Sequence, residues 1–173
     1  VHILTSEGTV KVDTFPMGID FDKFAKAIDR PDVQGEIGDL RHRLSQVKII
    51  LSVDRLDYSK GILNRLEGFE MFLEADRRYH GRVVLVMVVV PSRIGVRHYD
   101  LMKKQIEELV GKINGRFGRI GWTPVVYQYR NVPFESLVAL YSASDICLVT
   151  PLRDGMNLVA KEYVATRTEG AGV

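Results

Sequence analysis

The chain has 173 residues, 46% hydrophobic and 27% charged, which suits one globular domain and excludes a disordered tail or a coiled rod. Lysine and arginine total 24 against 22 acids, so the net charge of +2 gives no bulk reason to expect a nucleic-acid or membrane-surface protein, and any anion site must be local. One cysteine, Cys147, excludes an intrachain disulfide and a thiolate zinc site, and the longest apolar run, Val83 to Val90, is far short of the ~20 residues of a membrane span.

His2 to Val12 carries short β-prone runs around Glu7-Gly8 and leads into a breaker-rich loop, Thr14 to Gly18. Asp20 is placed to cap a short helix through Ala27, and Pro31 or Asp32 to start another through about Leu44, with Val33, Ile37, Leu40 and Leu44 at helical spacing. Four near-continuous apolar runs follow, at Val47–Val53, Val83–Val90, Val125–Tyr129 and Ile146–Thr150. Between them lie helical patterns at about Gly61–Tyr79, Val96–Phe117 and Pro133–Ser144, and a last helix begins near Gly155. Uninterrupted apolar strands joined by helices long enough to cross over predict a parallel sheet covered on both faces, an α/β, Rossmann-like fold. The ending Glu169-Gly170-Ala171-Gly172-Val173 reads as a turn into a further strand, so the sequence is expected to be cut from a larger protein. With no charged-then-apolar leader, a soluble, unprocessed, cytoplasmic chain is expected.

In such sheets ligands bind beyond the carboxyl ends of the strands, so the four loops there are where chemistry is expected. The first runs Asp54-Arg55-Leu56-Asp57-Tyr58-Ser59-Lys60-Gly61 into a helix. Arg55 and Lys60 flank that helix start, where free amides already favour an anion, and so form a candidate diphosphate clamp; the alternative is surface pairing with Asp54 and Asp57. In the last loop, Thr150-Pro151-Leu152-Arg153-Asp154-Gly155, Asp154 and Gly155 turn into a helix whose first amides, Met156, Asn157, Leu158 and Val159, would face a ligand. Glu162 could then reach a ribose; alternatively Asp154 is only a helix cap and Glu162 a solvated residue. Arg93, after the second strand, could bind a separate phosphate, and the turn Arg130-Asn131-Val132 could pack on a base and read its edge through main-chain groups.

Other familiar sites are missing. Gly115, Gly118 and Gly121 precede a strand rather than follow one, and there is no Walker lysine motif. Asp20-Phe21-Asp22 has the spacing of a metal-binding acid pair but opens a helix, where capping and the helix dipole explain both acids. His2, His42, His80 and His98 lack metal-ligand spacing, Trp122 is expected under the sheet, and Cys147 is expected to be buried and inert.

Three stretches, Val53 to Gly61, Asn114-Gly115-Arg116-Phe117-Gly118 with Gly121-Trp122-Thr123-Pro124, and Thr150 to Tyr163, closely resemble the trehalose-6-phosphate synthase family, in order and without large gaps from about Phe15 to the end. The resemblance implies the second, donor-binding domain of a two-domain GT-B glycosyltransferase. It also implies transfer of glucose from UDP-glucose to glucose-6-phosphate with retention and with no required metal or cofactor. It makes Arg55 and Lys60 the diphosphate pair, Asp154 the acid on the donor glucose hydroxyls, and the amides of Gly155, Met156, Asn157, Leu158 and Val159 a cradle for sugar and phosphate. Glu162 becomes the ribose ligand, Asn131 and Val132 the uracil contact, and Arg93 the acceptor-phosphate ligand. Arg55, Lys60 and Asp154 carry the catalytic roles. The implied partners are the two small substrates, with no nucleic acid and no membrane; homo-oligomerisation of the parent is left open. The family's donor-supporting histidine comes from the other domain, and no histidine here carries that pattern. Rival readings are a glucosylglycerol-phosphate synthase or similar transferase, a non-catalytic regulatory module of the same origin, and a NAD-binding domain, the last disfavoured by the missing glycine fingerprint.

Overall fold

The computed structural model describes residues 1–92 and 95–167. A two-stranded antiparallel hairpin, β1 (His2–Thr5) and β2 (Gly8–Lys11), opens the chain with every residue exposed. The stretch expected as an opening strand and loop is therefore a hairpin, turning at Ser6 and Glu7. Helices α1 (Phe21–Ala27) and α2 (Pro31–Arg43) follow; Asp20 caps α1 by accepting the Lys23 amide, and Asp22 pairs with Lys26 at 2.7 Å, so both acids serve the helix.

The alternation expected thereafter is present: β3 (Lys48–Arg55), α3 (Ile62–Ala75), β4 (Val83–Val90), α4 (Arg97–Phe117), β5 (Val125–Tyr129), α5 (Phe134–Ala143), β6 (Ile146–Cys147) and α6 (Leu158–Ala165). The four strands form one parallel sheet in the order β5-β4-β3-β6. Counted from β3 this is 3-2-1-4, the order of the first four strands of a Rossmann sheet.

Strand β4 shows why its sequence is apolar at every position. Val84, Val86 and Val88 join Ile49, Leu51 and Val53 of β3 in a core under α1, α2 and α5, whereas Val83, Leu85, Met87 and Val89 point the other way into α3 and α4. Successive strand residues face opposite sides, so a strand covered on both takes a polar residue only where a buried partner meets it, and β4 has none. The α4 residues Tyr99, Met102, Ile106, Val110 and Ile113 recur every three or four positions and are all buried in the second core. Each fully buried Leu, Ile or Met there contributes about 1.5–3 kcal/mol relative to exposure. Trp122 lies against this core and donates from its indole nitrogen to the Val83 carbonyl at 2.8 Å.

Two boundaries differ from expectation. Strand β6 is two residues long instead of five, because the chain leaves the ladder with β3 after the Leu148 amide bonds the Leu51 carbonyl. The Leu152 and Arg153 amides instead donate to the Ser59 carbonyl, at 2.8 and 3.1 Å. Helix α6 starts at Leu158 rather than near Gly155, because Asn157 is its cap, accepting the Ala160 amide at 3.1 Å.

Candidate functional site

From β3 the chain adds β4 and β5 on one side and then returns to place β6 on the other, so the order reverses between β3 and β6. At such a switch point the loops beyond adjacent strands diverge and leave a crevice. The loops that leave this crevice are residues 56–61 and 148–157.

They are joined by several contacts. Lys60 Nζ donates to Asp154 Oδ2 at 2.6 Å across 94 residues of sequence, with both side chains mostly covered, 15% and 17% exposed. Asp154 also accepts from Asn157 Nδ2 at 3.0 Å. Lys60, first among these, holds the Asp154 carboxyl below the usual carboxylate range. Gly61 sits at φ +63°, and a Cβ there would lie 2.9 Å from the Thr150 carbonyl oxygen, so the two loops approach as closely as they do only because this residue is glycine. Asp57 closes the preceding turn by accepting from the Ser59 amide and hydroxyl, at 2.9 and 2.8 Å.

The alternative pairing of Arg55 and Lys60 with Asp54 and Asp57 does not occur among the described residues. Lys60 is taken by Asp154, Asp54 by Arg65, and Arg55, exposed at the carboxyl end of β3, has no described partner. The reading of Asp154 as a helix cap is corrected too, since Asn157 has that role. Of the four amides expected to face a ligand, Leu158 and Val159 are the first two of the helix and have no intrahelical acceptor. Gly155 is exposed, outside the left-handed region, and a Cβ on it would meet nothing within 4 Å, so packing within the chain does not require glycine there.

Glu162, one turn into α6, accepts from the hydroxyl of fully buried Tyr141 at 2.8 Å, which fixes the carboxylate's direction. Burial, with Glu162 beside it, raises the Tyr141 hydroxyl above the ordinary tyrosine value. Asn131 and Val132 lie beyond β5, on the same rim but three strands from β6, about 14 Å at the usual strand spacing. The Val132 side chain packs against the core under α2 and α5, which leaves the turn's main chain as its recognition element. Arg93 lies outside the described residues. Cavities of about 310 Å³, against Asp57, Tyr58 and His98, and about 480 Å³, against Arg65, Phe69 and Leu152, flank the clamp. Exposed Arg55, Gly155 and Met156 make the rim an open ledge.

The sequence reading missed Arg65. This α3 residue is 5% exposed, and its guanidinium donates to Asp54 Oδ2 at 2.6 Å, Thr150 Oγ1 at 3.0 Å, the Lys60 carbonyl at 3.1 Å and the Ser52 hydroxyl. Burial pushes the Asp54 carboxyl up, against the pull of Arg65. A signal was available: Ser52 and Asp54 alternate on one face of an otherwise apolar buried strand, and two buried polar groups on one face require a partner from the helix above.

Comparison with known proteins was consistent across sequence and structure. The family described as Glycosyltransferase family 20 matches residues 2–173. A bifunctional trehalose-6-phosphate synthase/phosphatase from Thermoproteus tenax is 51% identical over 164 residues, covering 95% of this chain and 22% of that protein. An α,α-trehalose-phosphate synthase (UDP-forming) from Burkholderia xenovorans, solved in complex with glucose-6-phosphate, superposes with a TM-score of 0.90 at 36% identity, over 95% of this chain and 36% of that one. The E. coli structure described as trehalose-6-phosphate bound with UDP-2-fluoro glucose gives 0.87 at 38% identity, over 93% of this chain and 36% of that one. The chain thus spans between about a fifth and a third of the length of these proteins.

Proposed function

Because this chain belongs to glycosyltransferase family 20, we propose that it is the donor-binding part of a retaining glucosyltransferase that moves glucose from UDP-glucose to glucose-6-phosphate, forming trehalose-6-phosphate. The observation that carries the reading is the contact between Lys60 and Asp154 at the sheet's switch point, with Arg55 on the same rim. As the donor's anomeric bond breaks, charge develops on the departing diphosphate. The cations Arg55 and Lys60, with the Leu158 and Val159 amides at the start of α6, lower the energy of that charge without a metal ion.

A diphosphate at Lys60 competes with Asp154 for its ammonium group. Releasing Asp154 from Lys60 frees its carboxylate to accept hydrogen bonds from the donor glucose hydroxyls. Glu162, aimed by Tyr141, accepts from the ribose, and the main chain at Asn131 and Val132 meets the uracil. Gly155 leaves its side-chain space to the donor. The acceptor hydroxyl oxygen bonds to the anomeric carbon on the face from which the diphosphate departs, and a leaving diphosphate oxygen takes its proton, so this chain supplies neither a nucleophile nor a base. Arg93 is assigned to the acceptor phosphate, and a cytoplasmic location is proposed along with these substrates.

The test is calorimetric titration of UDP, UDP-glucose, GDP-glucose and NAD into the chain, its Arg55→Ala variant and its Lys60→Ala variant. Loss of either cation is expected to weaken UDP binding by about 1–3 kcal/mol, the worth of a hydrogen bond to a charged group. Equal affinity in all three proteins would remove the clamp. The chain alone is expected to transfer no glucose, and trehalose-6-phosphate formed by it would contradict the division of labour proposed here.

A further inference from the structure

We propose that Arg65 is a positioning residue for the donor clamp: its buried guanidinium sets the spacing between the turn that carries Lys60 and the loop that carries Asp154, and thereby the affinity for a nucleoside diphosphate. This rests on the donor-site reading above. Arg65 touches neither the ledge nor Asp154. It ties together the chain segments from which both clamp residues project. One nitrogen donates to Asp54 and Ser52 at the end of β3, a second to the carbonyl of Lys60 itself, and the third to Thr150, four residues before Asp154.

Only a planar fork with donors in fixed directions satisfies three segments at once, and a lysine ammonium at the same place could hold Asp54 but not the other segments together. Stability alone gives little reason for the arrangement. A buried ion pair is commonly no more stabilising than a well-packed apolar pair, and both flanking cores are apolar. What the pair adds is direction. With Gly61 against Thr150, and Leu152 and Arg153 bonded to Ser59, it leaves the two loops one relative position, the one in which Lys60 Nζ and Asp154 meet at 2.6 Å.

The experiment separates position from stability with three variants of the 173-residue chain: Arg65→Lys, Arg65→Gln, and the double variant Asp54→Asn with Arg65→Gln. The single Gln variant leaves Asp54 buried without its cation and is expected to melt lower; the double variant removes both charges and is expected to recover much of that loss. Melting temperature, UDP affinity by calorimetry, and the titration of the Asp154 carboxyl by carbon NMR are recorded for each.

The expected result is that the double variant and Arg65→Lys bind UDP roughly tenfold or more weakly than the parent even where melting is restored. In both, the Asp154 carboxyl is expected to titrate closer to an ordinary aspartate, because Lys60 no longer meets it. A double variant that binds UDP as the parent does, with Asp154 titrating as in the parent, overturns the proposal. If the parent itself fails to bind UDP, the donor-site reading falls, and the Asp154 titration still decides whether Arg65 positions the two loops.

Discussion

Gly61 offers a quantitative test of how tightly the two site loops are joined, because a second glycine serves as its control. Gly61 and Gly81 both adopt left-handed backbone, at φ +63° and +75°. An alanine in that region costs about 1 kcal/mol for any L side chain. At Gly81 the new Cβ would meet nothing within 4 Å, so that cost is the whole effect. At Gly61 it would lie 2.9 Å from the Thr150 carbonyl oxygen and 3.3 Å from Leu152 Cγ. The nearer atom belongs to the backbone, so the 150–152 segment must move, and the two amide bonds to Ser59 lengthen with it. At about 1 kcal/mol each, they bring the expected loss to about 3 kcal/mol. Gly61→Ala should therefore be about 2 kcal/mol less stable than Gly81→Ala, or roughly 4–8 °C lower in melting temperature for a chain of this size. Paired thermal and urea melts read this directly, and UDP affinity should fall for Gly61→Ala alone. Two variants melting within about 1 °C of each other would refute the claim that the loops are in hard contact.

Three further outcomes follow from other parts of the structure. Tyr141→Phe removes the hydroxyl whose hydrogen bond Glu162 accepts, and should lower the unfolding free energy from urea melts by about 1–2 kcal/mol, seen as a lower midpoint with an unchanged slope, and weaken UDP binding; an unmoved midpoint would mean the bond contributes nothing. Glu70 on α3 accepts from Lys112 and Arg116 of α4, and the Lys112 bond leads in holding its carboxyl below the usual range. A lowered native value means stabilisation in full above the unfolded value of about 4.3, lost as pH falls through the native value. Glu70→Gln should flatten the acid limb of a stability-against-pH curve below about pH 4.3, and an identical limb would exclude the effect. Cys147 is half-buried rather than fully buried as expected, and that burial pushes its thiol up to about 11, so at pH 8 about one thiol in a thousand is ionised. Iodoacetamide should alkylate it roughly a hundredfold more slowly than in the unfolded chain, and equal rates would show the thiol to be open to solvent.

The elements were legible in the sequence because each carries its own burial pattern. Eight consecutive apolar residues at 83–90 have one physical solution in a chain of this type, a strand covered on both faces, and the Tyr99–Ile113 spacing has one as well, a helix with a single buried stripe. The cations and acids of the loops were visible for a related reason: they stand where apolar strands stop, so they had to emerge at one rim. The partnerships among them were not visible. That Lys60 meets Asp154 rather than Asp57 depends on β6 lying beside β3, and no local pattern records which strand edge a later strand will choose. The shortness of β6 arises the same way, since the chain after Cys147 leaves one set of hydrogen bonds for others offered by the Ser59 turn, whereas the late start of α6 is a local matter, set by the Asn157 cap. Periodicity is a property of neighbours in the chain and is written there residue by residue. The identity of a partner across the fold is settled only when the backbone closes around Arg65 and Gly61.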